Sequence, residues 1–153
     1  MSDIGSIIGW NEALREVASL RIFRGLPHEL FEKELFDAAI AQRDWVKIDG
    51  YHFHSQPIVP EEPIARDITL IASKGTSFAK FSGEKRCGGF HPDWGLIWEL
   101  EGRKASLLIC LHCVEAKLAW RRGTMTTRLR VDWQPTQLHK IMDHLAPFSS
   151  KDG

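Results

Sequence analysis

The chemically capable side chains of this chain are concentrated in two stretches, Cys87-Gly-Gly-Phe-His91-Pro-Asp93 and Cys110-Leu-His112-Cys113, which together hold all three of its cysteines. Thiolate sulfur and neutral imidazole nitrogen are preferred zinc ligands, and a Cys-x-x-Cys pair chelates when it lies on a tight turn. Cys87, His91, Cys110 and Cys113 are therefore a candidate Cys3His set. A closed set of four holds one structural zinc rather than a catalytic one. Glycines at 88 and 89 free the backbone to fold around such a site. The set needs a turn or a bulge, because in a regular strand through 107–118 Cys110 and His112 take one face and Cys113 the other. The run Leu-Leu-Ile-Cys-Leu-His-Cys-Val is apolar on both sides, like a central strand, and there a cysteine is a small buried hydrophobe. Structural zinc ligand, buried thiol and redox-active thiol stand as three readings of the same unit.

The remaining candidates are weaker. His52 and His54 share one strand face, but two ligands without an acidic partner do not make a site, so they read as solvated histidines on an edge hairpin. Arg121 and Arg122, with Arg128 and Arg130, carry the charge of a phosphate-contacting patch. Stacking aromatics are not interleaved with them, so they read as a solvated hairpin face open to an acidic partner. Cys87, His91 and Asp93 have the residue types of a thiol nucleophile with an oriented imidazole, yet nothing like a nucleophile elbow or a helix start precedes the thiol. Phe90-His91-Pro92-Asp93-Trp94 reads equally as a structured turn in which proline fixes a dihedral and aspartate caps the backbone. The sequence contains no phosphate-cradling glycine loop, paired catalytic carboxylates or HExxH. No residue is assigned a catalytic role, and the balance falls against an enzyme.

The elements that position these residues belong to one domain, 1–153, with a polar tail at 149–153. A composition of 43% hydrophobic and 26% charged residues over 153 positions excludes the disordered and collagen-like classes and suffices for one core. Twenty Lys and Arg balance twenty Asp and Glu, so no global field draws the chain to nucleic acid or anionic lipid. The longest largely apolar run, 107–114, is less than half a membrane span. The first ten residues lack the basic start and apolar length of a secretory signal, and an odd number of cysteines makes no disulfide framework. A cytoplasmic protein with three free thiols or ligands is expected.

Apolar positions at Trp10, Leu14, Val17, Ala18 and Phe23 predict a first helix over 10–23. Pro27 opens a second over 27–42, with Leu30, Phe31, Leu35, Ala38, Ala39 and Ile40 on one apolar face. Asp49-Gly50 between alternating residues predicts a hairpin, and the proline- and glutamate-rich stretch 57–63 an extended connector. A short helix over 64–75 follows. Strands are expected at 76–81, 95–100, along the run 105–120, and at 126–133, where Arg128 and Arg130 oppose Leu129, Val131 and Trp133. Pro135 opens a last helix with Leu138, Ile141, Met142 and Leu145 on its apolar face. The fold class is α+β: an antiparallel β-meander in the later half, with helices at the N- and C-terminal ends.

Cys-Gly-Gly-Phe-His-Pro-Asp-Trp, a Leu-Ile-Trp strand and then Leu-Ile-Cys-Leu-His-Cys-Val-Glu, over about residues 76–118, resemble small bacterial proteins of unassigned function. In these a CGxFHPD-like turn precedes an ICFxC-like strand; Leu111 stands here where those proteins often carry an aromatic. The resemblance implies shared architecture around Cys87, Cys110 and Cys113. Size, neutrality and the missing catalytic set then favour a non-enzymatic bacterial protein-binding module, an immunity or inhibitor protein that neutralises a toxin or effector, with some of the six tryptophans available as anchors. The alternative is a structural-zinc or thiol/redox protein built on Cys87, His91, Cys110 and Cys113.

Overall fold

A computed structural model of the chain describes residues 8–83 and 89–149. The order is α1 (Ile8–Ala13), β1 (Arg21–Arg24), α2 (Lys33–Gln42), β2 (Trp45–Ile48), β3 (Tyr51–His54), α3 (Glu62–Ser73), β4 (Phe78–Lys80), β5 (Trp94–Leu100), β6 (Arg103–Cys110), β7 (Glu115–Arg122), β8 (Met125–Trp133) and α4 (Pro135–Leu145). Six strands form one antiparallel sheet in the order β1-β5-β6-β7-β8-β4, while β2 and β3 pair as a separate hairpin. The α+β expectation holds, with a meander β5-β6-β7-β8 in the later half and helices at both ends of the chain.

Alternation along each strand sets the two faces. Trp94, Leu96 and Trp98 of β5, Ala105, Leu107 and Ile109 of β6, and Ala116 and Leu118 of β7 point to one side. There they meet Trp10 and Leu14 from the N-terminal segment, Ala65, Ile68 and Ala72 of α3, and Leu138, Ile141 and Leu145 of α4. Each fully buried Leu or Ile contributes roughly 1.5–3 kcal/mol, so this layer carries most of the stabilisation. Two of its indoles are satisfied, Trp98 Nε1 donating to Thr69 Oγ1 and Trp10 Nε1 to the Ala72 carbonyl, both at 2.9 Å, whereas Trp133 Nε1, as deep as that of Trp10, finds no acceptor among the described residues. On the other side the hairpin covers only part of the sheet, packing Ile48 and Phe53 on Ile97 and Leu108. Gly95 makes room for this, since a Cβ there would lie 2.8 Å from the Phe53 ring.

The hairpin turns at Asp49 and Gly50, whose positive φ values of 49° and 86° are those of the expected tight turn. Four expectations change. The helix predicted over 10–23 stops at Ala13, and 21–24 becomes edge strand β1, because Ile22 is fully buried when Arg21–Arg24 pair with β5. The helix predicted over 27–42 begins at Lys33, after turns at 29–32. The run 105–120 is two strands, broken by a turn at 111–114 in which Val114 takes a φ of 57°. The segment 76–81 contributes only β4, paired with the end of β8.

Candidate functional site

The Cys/His unit assembles where β6 turns into β7. Asp93 laces this corner together: its carboxylate accepts from the Leu111 N–H at 2.8 Å, its N–H donates to the Ile109 carbonyl at 2.7 Å, and its carbonyl accepts from the Gly25 N–H at 2.8 Å. Burial holds the Asp93 carboxyl above the ordinary carboxylate range, against the Leu111 N–H and the nearby His91, His28 and His112. Cys110, at the end of β6, is fully buried and a free thiol. Burial pushes this thiol up, although the N–H groups of His91 and Cys113 point at its sulfur. A protonated buried thiol is a poor nucleophile, which favours the buried-hydrophobe reading of Cys110.

The turn at 111–114 removes the geometric objection to the Cys-x-x-Cys pair, which no longer lies on one regular strand. Cys113 departs from the expectation of a free thiol or ligand, since it is disulfide-bonded; its sulfur lies 3.7 Å from the Gly89 carbonyl oxygen. Cys87 lies outside the described residues. Among the described residues, no group of three or more His, Cys, Asp or Glu is placed to hold a metal ion.

His91 stacks on His28 instead, ring centroids 4.6 Å apart, and burial is the first cause that holds its pKa below the ordinary value. The sequence reading passed over His28, which is 8% exposed. Its Nδ1 accepts from the Leu30 N–H at 3.0 Å and the Phe31 N–H at 3.2 Å, while its own backbone N–H donates to Glu32 Oε1 at 3.0 Å. This is a reciprocal cap with histidine in the role usually held by serine or aspartate. An acceptor Nδ1 places the hydrogen of the neutral ring on Nε2, so neither nitrogen of His28 is set to ligate a metal. The signal was present as His-x-x-x-Glu after a proline, but only a residue type outside the usual capping set carried it.

Capping fixes where Leu30 and Phe31 emerge. Phe31 lies on the histidine platform, 4.4 Å from the His28 ring and 6.1 Å from that of His112 between centroids. Its outer side is open: Leu30 and Phe31 are each 64% exposed and Leu35 60%. No residue of α2 is buried. Leu35 and Ala38 are exposed on α2, and Leu30 and Phe31 stand exposed in the turn before it, so of the apolar face expected over 27–42 these positions look outward. Beside them runs a cleft of about 400 Å³ lined by Arg24, Pro27, Leu35, Ala38, Gln42 and His54. The opposite side of the helix rests on the hairpin, with Phe36 edge-on to His52 at 5.8 Å and Trp45 Nε1 donating to the Ile40 carbonyl at 3.1 Å. The expectation that His52 is simply solvated therefore changes, because Trp45 also packs against it at 4.7 Å. Carboxylates rim this apolar surface: Glu29, Glu32, Glu34 and Asp37 stand among residues 29–38 with a single lysine, Lys33, which pairs with Asp37 at 3.0 Å.

No protein-family model matches the chain, and no curated protein or solved structure does so either.

Proposed function

We propose that this chain is a non-enzymatic protein-binding module of the inhibitor type, which covers a basic surface on a toxin or effector inside a bacterial cell. The observation that carries this reading is the exposed apolar surface at the start of α2: Leu30 and Phe31 in the turn before the helix and Leu35 in its first turn, each at least 60% exposed, next to a cleft and among carboxylates. Scattered exposed leucines are ordinary, but a contiguous apolar strip with a charged rim has the anatomy of an interface. The rim selects a positively charged partner, because like charges across a contact cost several kcal/mol while complementary ones speed encounter. On this reading the Cys/His corner serves as foundation: Asp93, His91 and His28 hold the cap that sets Phe31 in place.

The test is affinity capture of the tagged protein from its native host, with bound species identified by mass spectrometry. A stoichiometric protein with a basic surface, whose toxic activity falls when the two are co-expressed, supports the reading. A preparation that carries no macromolecule contradicts it.

The second reading is thiol or zinc chemistry at Cys87, His91, Cys110 and Cys113, and the disulfide-bonded state of Cys113 favours its thiol branch. It expects either bound zinc near one per chain or a melting curve that shifts on reduction or chelation. Metal-free protein with a melting curve indifferent to chelator and reductant disposes of both branches.

A further inference from the structure

The hairpin covers only part of the sheet's outer face. Beyond its tip, residues 49–51, the floor of β7 and β8 is left as a groove of about 690 Å³ lined by Lys117, Ala119, Arg128 and Arg130. It continues into a depression of about 140 Å³ beside Lys104, Ser106 and Arg121. Strand alternation sends these five cations to the same side, whereas Arg122 leaves for the helical face and meets Glu12 of α1 at 3.5 Å.

The register sharpens the point. Lys117 sits directly opposite Arg130, and Lys104 directly opposite Arg121. Like charges in opposed positions destabilise a sheet, so two such pairs on one face are held at a cost. Against the five cations stand four carboxylates: Asp49 at the hairpin tip, the buried Glu115 that Arg130 grips, Asp132 directly opposite Glu115 at the far end of the face, and Glu99 across from Lys104. Lys117 is held in place: its Nζ donates to the Tyr51 hydroxyl oxygen at 2.5 Å and lies 4.7 Å above the Phe90 ring. With that oxygen accepting, the Tyr51 O–H is left to donate.

From this we infer a second binding surface, independent of α2: the β7–β8 groove takes an extended, acidic peptide segment of a protein partner. Alternate residues of an extended chain recur at about 7 Å, the spacing of Arg128 and Arg130 along their strand, so carboxylates at every second position meet successive cations. A nucleic acid fits less well, since bases need open aromatic faces, and the Lys117 ammonium lies over the Tyr51 and Phe90 rings and the Arg130 guanidinium over the Phe81 ring.

The experiment is fluorescence anisotropy with a labelled peptide of about eight residues alternating glutamate and threonine, run beside an oligothymidylate of equal length and a serine–threonine peptide. The acidic peptide binds wild type, weakens at least about tenfold in an Arg121→Gln/Arg128→Gln double variant, and is released by high salt. Both positions are exposed, so a matching circular-dichroism melt verifies that the variant folds. Three results overturn the inference: no peptide binding, equal binding by the double variant, or tighter binding of the oligothymidylate. Light scattering that shows self-association lost in the double variant also overturns it, by assigning the groove to a second copy of the chain.

Discussion

The Arg130 guanidinium closes on the Glu115 carboxylate across the β7–β8 pair, with Nε at 2.9 Å and Nη2 at 2.8 Å from the same oxygen, Oε2. Glu115 is fully buried while Arg130 is 39% exposed, so the pair ties a buried charge to the rim of the groove. Truncating Arg130 takes the nearest described counter-charge away from a buried carboxylate. Arg130→Ala is expected to lose about 3 kcal/mol, the lower end of the range because the arginine is partly solvated, and Arg128→Ala less than about 0.5 kcal/mol. Urea unfolding of the two variants checks this, and equal midpoints would contradict it.

Gly25 marks where the fold leaves no room. A Cβ there would stand 2.0 Å from the Pro92 carbonyl oxygen, a backbone atom that cannot swing aside, while the Gly25 N–H is bonded to Asp93. Gly25→Ala should therefore separate β1 from the 90–93 turn and cost at least about 2 kcal/mol. The readout is the thermal melt of the purified variant; a wild-type melting temperature would show that the corner is looser than its geometry.

Much of this architecture is legible in the residues. Asp49-Gly50 marks its own turn, Pro135 its helix start, and Arg128 and Arg130 their strand face, because each rests on local chemistry. What escaped depends on partners far away in sequence. Edge strand β1 exists because β5 offers a free edge, and the turn at 111–114 contains neither glycine nor proline to announce it. The apolar face of α2 was read from periodicity, but whether a face is buried or offered to solvent is decided by what folds over it. His28 was missed because its role lies in hydrogen bonds made by a ring nitrogen.

Acid should weaken the fold through its histidines. Burial first, then the neighbouring His28, hold the His91 pKa below its ordinary 6.5, with Asp93 opposing; His52 is lowered by burial and Lys47. The unfolded chain regains the ordinary value, so as pH falls below 6.5 it binds more protons than the folded chain and stability declines. Asp93 works with the opposite sign: its raised pKa adds stability only as pH drops toward 3.8. Urea midpoints should fall between about pH 7.5 and 5.5, and His91→Asn should flatten that slope. A pH-independent midpoint, or an unaltered slope in the variant, would contradict the assignment.

Cys110 should be inert while the protein is folded. Its side chain is fully buried and its thiol is pushed up by desolvation. Iodoacetamide at mildly alkaline pH is expected to leave the Cys110 peptide unmodified in native protein and to alkylate it in urea. Modification at equal rates in both conditions would show an accessible thiolate and revive a reactive role for this residue.

On the proposed function, Leu30 and Phe31 of the turn before α2 and Leu35 of its first turn meet the partner. Phe31→Glu/Leu35→Glu replaces two exposed side chains, so its unfolding free energy should stay within about 1 kcal/mol of wild type. The decisive measurement is capture from native-host lysate by this variant beside wild type. The stoichiometric partner of the wild type is expected to be absent from the folded variant. Equal recovery of the same partner on both, with both proteins folded, would contradict it.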